Sequence, residues 1–465
     1  MKTNRKTDIL IIGAGPAGYV AAIYAAKKGK KVILVDGLWV GGTCLNAGCI
    51  PTKALVKSAE LYQEILNSEE KGISVKDLKL DLNKIIDNKN SVKDKLVNGI
   101  KFLLEKYQVE VIEAYATFLN DKEVLIKDKD LVLTADDILI ATGSKTKHLP
   151  VEGIDNPLVL DSEKILELRT LPKTLTVIGG GIIGMEFAFI YANLGVKVNV
   201  IEFLPRILMN LDREFSLRLI RFAKQLNIDI YTNSEVKRLE GSNKSIKTYF
   251  VRKNQEEYLE SDYVLEAVGR GPNVDGLGLE NTDVIFDSRS GIKVDEQLKS
   301  NVDNIYAIGD VNNIMQLAHV ASHQAIVAVD NILGKNHQIN YDLIPSVVFT
   351  SPTIAAVGIS EEKAKERSLD YEVVKVPFSA NGKAIILDSE AGFIKLLREK
   401  NSKKLIGAQI FGKEAENLIA TYTLAITNNL TAGNIKDTVF AHPTIQELVH
   451  ESALGLEKEA IHFVD

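Results

Sequence analysis

The chain has 465 residues, 45% hydrophobic and 6% aromatic, with 56 Lys and Arg against 62 Asp and Glu and a net charge of −6. That composition predicts a globular protein of two to four domains with large cores, and its mixed, mildly acidic charge excludes the electrostatic footprint of a nucleic-acid or membrane-surface binder. Residues 9–26 are uncharged, but Gly13, Gly15, Pro16 and Gly18 break the run where a strand-turn-helix would; no membrane span and no signal peptide are read, and a cytoplasmic setting is expected.

Residues 8–12 form a short apolar run that ends in Gly13-Ala14-Gly15-Pro16-Ala17-Gly18. An Ala-rich helix, a second apolar run over 31–35 and Asp36 follow. The next segment, Gly41-Gly42-Thr43-Cys44-Leu45-Asn46-Ala47-Gly48-Cys49-Ile50-Pro51-Thr52-Lys53, holds the only two cysteines of the chain. A regular helix would set Cα atoms five residues apart at ~8–9 Å, beyond the ~7 Å reach of a disulfide, so joining Cys44 to Cys49 requires an irregular turn. Asn46 and Gly48 are the residues expected to supply permissive backbone. Two buried thiols acting as small hydrophobes are the alternative. In a cytoplasmic chain, where the disulfides that occur are mostly catalytic, the pair is instead expected to be a redox centre that cycles.

Residues 52–149 lack proline, and 58–108 read as long amphipathic, Lys-rich helices with a solvated face and no obvious chemistry. Residues 109–118 and 123–133 read as strands, leading to a buried strand that ends in Ala141-Thr142-Gly143. Then the opening series recurs: an apolar run over 175–178, Gly179-Gly180-Gly181-Ile182-Ile183-Gly184, a helix, a run over 196–201, and Glu202. Gly13 and Gly179, Gly18 and Gly184, Asp36 and Glu202 are each 166 residues apart, and each acidic residue stands 18 positions after its last glycine. One such motif is weak; two, each between strand and helix, predict two dinucleotide sites. The first glycine makes the turn, the second admits the pyrophosphate to the backbone, the third lets helix and strand pack, and the acidic residue accepts from ribose hydroxyls.

A strand over 263–268 precedes Gly269-Arg270-Gly271-Pro272-Asn273, and another over 304–308 ends at Gly309-Asp310, an aspartate placed to bond a ribityl chain. From about Pro345, strands over 346–350, 371–377, 392–398 and 405–411 followed by helices predict a separate α+β domain. Near its end stands His442, with Pro443 fixing its backbone and Glu447 close behind. That segment is either a structural His-Pro turn or an acid-base group beside a dithiol.

Taken together, these segments resemble the flavin-dependent pyridine nucleotide-disulfide oxidoreductases, and among them the branch that oxidises dihydrolipoyl groups. The resemblance spans residues 6 to 462 and rests on the two nucleotide motifs, the Gly42-to-Pro51 segment, Ala267-Val268-Gly269-Arg270, Ala307-Ile308-Gly309-Asp310, Leu317-Ala318-His319, Ala380-Asn381-Gly382 and His442-Pro443-Thr444. It implies an α/β chain of two Rossmann-like dinucleotide-binding domains plus a C-terminal α+β dimerisation domain. The parts would be 1–150 for FAD with the helical insertion, 151–270 for NAD, 271–344 a central domain completing the FAD site, and 345–465 for the interface of a homodimer.

By the same resemblance, Gly13, Gly15, Gly18, Asp36, Gly42, Thr43, Lys53, Ala116, Gly143, Asp310 and Ala318 would hold FAD. NAD would fall to Gly179, Gly181, Ile183, Gly184, Glu202, Val236, Gly269 and Arg270. Cys44 matches the thiol that exchanges with substrate and Cys49 the thiol facing the flavin, with Lys53 and Glu186 as an ion pair near the flavin's reactive edge. His442 and Glu447 match a base supplied to the other subunit's site. The implied reaction oxidises dihydrolipoamide, carried on a 2-oxoacid dehydrogenase E2 chain or a glycine-cleavage H protein, and reduces NAD⁺. No metal, nucleic acid or membrane partner is implied. Asp36 stands where glutamate is commoner, His323 where an acidic residue is usual, and Thr353 follows Pro352 where glutamate is frequent. Rival readings are a glutathione- or CoA-disulfide-type reductase, mercuric reductase, which needs a second cysteine pair, and a redox-silent FAD/NAD-binding subunit. Glu202 speaks for NAD over NADP, although Arg206 could lie nearby.

Overall fold

The computed structural model describes residues 3–242 and 244–464. The chain forms two compact units and passes between them repeatedly. Unit 1 comprises Met1–Pro150, Leu160–Leu171 and Val268–Ile339; unit 2 comprises Val151–Val159, Pro172–Ala267 and Asn340–Asp465.

Unit 1 is built on the strand Thr3–Ile12, parallel to Val32–Asp36 on one side and to Leu131–Ile140 on the other. Alternate side chains face opposite layers, and both layers are apolar, as a covered parallel sheet requires. Ile9 and Ile11 pack with Ala17, Ala21 and Ala25 of the helix Pro16–Lys27, while Leu10 and Ile12 pack with Ile33, Val35 and Phe118. Small residues on that helix let it lie close on the sheet. Glu110–Glu113 flanks the sheet, and the short strand Ile305–Ala307 pairs parallel to the end of Leu131–Ile140. The strand expected over 123–133 is a hairpin instead: Glu123–Ile126 turns back antiparallel to Leu131–Ile140, because Asp128 and Asp130 take positive φ of 61° and 46° between them. The Lys-rich region forms the helices Cys49–Leu66 and Leu82–Lys106, the second capped by Asp81 accepting from Lys84 N at 3.2 Å.

Unit 2 repeats the parallel core with Ile228–Tyr231, Lys197–Ile201, Thr174–Ile178 and Tyr263–Glu266 side by side. An antiparallel sheet of Ser234–Gly241, Ile246–Arg252 and Gln255–Ser261 is inserted before the last of these. Its C-terminal part is a five-stranded antiparallel sheet covered by the helices Ala415–Thr427 and Glu447–Leu456. One strand of it, Ile354–Gly358, was not anticipated, since Ala355 and Ala356 carry little β signal; burial between neighbouring strands makes it one. Among the described residues no helix is long and apolar enough to cross a membrane.

Candidate active site

The two glycine turns correspond along the 166-residue offset. Gly13 takes φ 105° and donates to Val35 O at 2.7 Å; Gly179 takes φ 109° and donates to Ile201 O at 2.8 Å. A Cβ on Gly18 would stand 1.7 Å from Gly13 O, and one on Gly184 would stand 1.9 Å from Gly179 O, so each third glycine is where the helix presses on the turn. Gly15 and Gly181 open the helices Pro16–Lys27 and Ile182–Asn193 with no side-chain cap. The N–H groups of their first turns, of which Pro16 has none, therefore have no side-chain acceptor, the arrangement that receives phosphate. A Cβ on Gly181 would meet nothing within 4 Å.

Each acidic residue also clamps its own turn. Asp36 accepts from Ala14 N at 2.6 Å, Leu38 N at 2.7 Å and Trp39 N at 2.9 Å. Glu202 accepts from Gly180 N at 2.5 Å and Leu204 N at 2.7 Å, the first two bonds of that pattern shifted by the repeat; Pro205 stands in the place of Trp39 and has no N–H to give the third. Spacing identified these carboxylates but gave no hint of the clamp. Ile183 lies in the second helix, and Val236 in the strand Ser234–Gly241.

The cysteine segment is fastened to the first turn. Gly41 N donates to Ala14 O at 2.8 Å, and a Cβ on Gly42 would come within 2.5 Å of Gly15 Cα. Thr43 and Cys44 lie on the helix Gly42–Ala47, and Cys49 opens the helix Cys49–Leu66. Gly48 alone makes the irregular junction, at φ −148° and ψ −113°. Asn46 is a correction to the expectation: it remains helical, and its Nδ2 donates to Val40 O at 3.1 Å and Gly42 O at 2.9 Å, so it braces the segment rather than bending it.

Neither cysteine is in a disulfide; both are half-buried thiols, hydrogen-bonded to each other. That bond, burial and the neighbouring charge of Cys49 push the Cys44 thiol far up, against a downward pull from Lys53. Two thiols so close lose their protons in sequence, and the first thiolate is stabilised by the proton left on the other. The uncapped positive end of an 18-residue helix meets the pair. Tyr19, one residue past Gly18, also lies by the pair: burial and the charge of Cys44 raise its phenol.

The remaining residues expected near FAD all lie in unit 1. Ala116 opens the strand Ala116–Phe118, Ala318 opens the helix Ala318–Ile332, and Gly143 O accepts from Asn273 N at 2.9 Å. Burial pushes the Asp310 carboxyl up, opposed by Ser144, whose Oγ donates to it at 2.6 Å, and by the charge of Arg270. Gln324, fully buried, fixes this corner by accepting from Gly309 N at 2.6 Å. Gly269 and Arg270 were grouped with the second nucleotide, yet both belong to unit 1, and the Arg270 guanidinium donates to Ser144 Oγ at 2.9 Å and Ser144 O at 2.7 Å.

In unit 2, His442 is 82% exposed and its Nδ1 lies 2.9 Å from Glu447 Oε1. Burial raises the Glu447 carboxyl, but the hydrogen bonds from His442 and from Thr444 N, at 3.0 Å, outweigh it and hold the group below its ordinary range. Asn381 braces this turn by donating to Thr444 O at 3.1 Å. Buried Glu186, on the second helix, accepts from Phe349 N at 3.0 Å. Among the described residues no group of three or more His, Cys, Asp and Glu could hold a metal ion.

A family model described as pyridine nucleotide-disulphide oxidoreductase matches residues 7–325, and that family's dimerisation domain matches residues 344–453. The chain is 40% identical to the dihydrolipoyl dehydrogenase of Bacillus subtilis, over 99% of this chain and 98% of that one. It is also 40% identical to that of Chlamydia pneumoniae, over 99% of each. Among solved structures it is similar to LpdA from Mycobacterium tuberculosis (TM-score 0.91, 26% identity, covering 97% of this chain and 99% of that one). The HOCl-induced flavoprotein disulfide reductase RclA from Escherichia coli is similar as well (TM-score 0.86, 29% identity, covering 96% and 99%).

Proposed function

The chain belongs to the pyridine nucleotide-disulphide oxidoreductases, enzymes that work with FAD and NAD(H), and from that premise we propose that it oxidises protein-borne dihydrolipoamide with NAD⁺ as the final acceptor. The observation that carries this reading is the hydrogen-bonded Cys44–Cys49 pair, set at a helix N-terminus and tied to the first glycine turn.

The open glycine cradles and uncapped helix ends fit two dinucleotides. FAD falls to Gly13, Gly15, Gly18, Asp36, Gly42, Thr43, Lys53, Ala116, Gly143, Asp310 and Ala318. NAD falls to Gly179, Gly181, Ile183, Gly184, Glu202 and Val236, with Gly269 and Arg270 at the chain's return to unit 1. We read the chain as four parts, 1–150, 151–270, 271–344 and 345–465. The flavin, when bound, carries the electron pair from the dithiol to NAD⁺.

The side chains do the rest. His442, its Nδ1 held by Glu447, takes a proton from a substrate thiol on the partner copy. The resulting thiolate attacks Sγ of Cys44 in the oxidised pair, breaking the bond to Cys49 and releasing Cys49 as thiolate. The second substrate thiol then displaces Cys44 and closes the lipoyl ring. Two electrons stay on the cysteines, one proton rests on His442 and one is shared by the pair. Lys53 and Glu186 are the charged side chains we assign to the surroundings of the flavin's reactive edge. The lipoyl group arrives on a 2-oxoacid dehydrogenase E2 chain or a glycine-cleavage H protein, in the cytoplasm.

The test is turnover of purified enzyme with lipoamide, glutathione disulfide and CoA disulfide, each with NADH and with NADPH. Lipoamide with NADH should dominate. Faster turnover of either other disulfide would reassign the branch, and no turnover together with an unbleached flavin under anaerobic NADH would make the protein a redox-silent subunit.

A further inference from the structure

Glu202 and the residues just beyond Arg206 meet on one point of the second glycine turn. Glu202 accepts from Gly180 N at 2.5 Å, Leu208 N donates to Gly180 O at 3.0 Å, and a Cβ on Gly180 would stand 2.7 Å from Ile207 Cγ2. The loop over 203–206 thus leaves the ribose carboxylate and returns to the same turn, bringing Arg206 to the border of the site. An arginine beside the acidic position is what accommodates a 2′-phosphate.

Here its fork is turned to another partner. Arg206 Nη1 donates to Glu362 Oε1 at 3.2 Å and Nη2 to Glu362 Oε2 at 2.9 Å, a bidentate pair. Nη2 also lies 3.4 Å from Met209 O, while Nε is buried with no partner. Glu362 is itself fixed, accepting from Arg213 N at 2.5 Å and donating its own N–H to Asp212 Oδ1 at 3.2 Å.

We infer that Glu362 is a specificity-determining residue for the nucleotide: by neutralising and turning away Arg206 it leaves a 2′-phosphate facing only the charge of Glu202. This rests on the reading of Glu202 as the ribose acceptor. Glu362 acts through Arg206 and is a positioning residue.

The test compares kcat/KM for NADH and NADPH in the FAD-loaded wild type, Glu362→Gln, Arg206→Ala and the double variant. Binding of adenosine 2′,5′-bisphosphate against adenosine 5′-monophosphate is measured in parallel. Glu362→Gln should raise the NADPH-to-NADH ratio about tenfold and tighten the bisphosphate by a similar factor. Both gains should vanish in the double variant, and Arg206→Ala alone should keep the wild-type ratio. Glu362→Asp, which keeps the charge but shortens the reach, should show a smaller gain of the same sign and serves if the glutamine variant does not fold. An unchanged ratio in a folded variant, or a gain that survives loss of Arg206, overturns the inference. Equal use of NADH and NADPH by the wild type would instead overturn the reading of Glu202, and this inference with it.

Discussion

Asp36 performs two tasks with one carboxylate. It is the acidic residue positioned for a ribose, and it already accepts three backbone N–H groups that shape the first turn and the loop to Trp39. Asp36→Ala leaves those donors without their acceptor, a loss of about 1–3 kcal/mol where water does not replace it. By the same figure FAD affinity, read as retention through gel filtration, should fall roughly 5- to 150-fold, and Asp36→Glu should recover most of it. Trp39 is the only tryptophan of the chain, so its fluorescence reports the loop directly. A second substitution separates cradle from relay: Cys44→Ser should abolish lipoamide turnover while leaving FAD bound, and substantial residual turnover would refute the thiol mechanism. The acidic residues and cysteines were legible because their spacing is set by chemistry. The clamps were not, since backbone donors have no signature in side-chain identity. Nor could spacing reveal that Arg206, four residues past Glu202, is paired with Glu362 from far along the chain.

The junction between two helices is the reactive element. Gly48 separates Gly42–Ala47 from Cys49–Leu66, and an added Cβ there would lie 3.0 Å from Thr43 O and 3.4 Å from Cys44 Cα. Gly48→Ala should therefore push on the residue carrying the exchanging thiol. Lipoamide turnover should drop several-fold with flavin content unchanged, checked by steady-state rate per bound flavin. In sequence the long helix was expected nine residues later than it starts, because Cys49, Ile50 and Pro51 read as part of a redox turn. Pro51 is compatible with the first turn of a helix, where its missing N–H costs nothing. The strand Ile354–Gly358 escaped for the opposite reason: its small side chains say little, and only burial between neighbours decides its state.

At the scale of the molecule, a buried ion cluster ties the second nucleotide module to the C-terminal sheet inside unit 2. Lys395, 7% exposed, lies 2.9 Å from Glu361 Oε2 and 3.4 Å from both Asp212 Oδ2 and Glu214 Oε2. Burial raises Glu361, but hydrogen bonds from Lys365 and Lys395 outweigh it and hold the group at about 2, against an ordinary 4.5. A carboxyl depressed on folding adds stability above its ordinary value and loses it as pH falls toward the folded value. The thermal midpoint should therefore decline between about pH 4.5 and 2, and Glu361→Gln should flatten that decline in circular-dichroism melts. Across copies, mixing Cys44→Ser with His442→Gln chains tests where the base acts. If it crosses the interface, each heterodimer carries both defects in one site and leaves the other intact, so activity returns; verified heterodimers without activity would place the base in the same chain as the thiol. The repeat and the dimerisation segment were visible in the sequence, whereas the chain's repeated passage between units was not, because each crossing depends on contacts far apart along the chain.

That interleaving imposes an order on synthesis. The parallel sheet of unit 2 has all its strands once residue 266 has emerged. The sheet of unit 1, begun at the N-terminus, waits for Ile305–Ala307 to pair with Ile138–Ile140. On the ribosome the parallel sheet begun first is thus the later of the two to be completed, while unit 2 as a whole still waits for its C-terminal sheet. The Ile138–Ile140 end of the strand Leu131–Ile140, which the hairpin strand Glu123–Ile126 does not cover, is a nascent-chain liability through the intervening stretch, and this is where chaperone contact should concentrate.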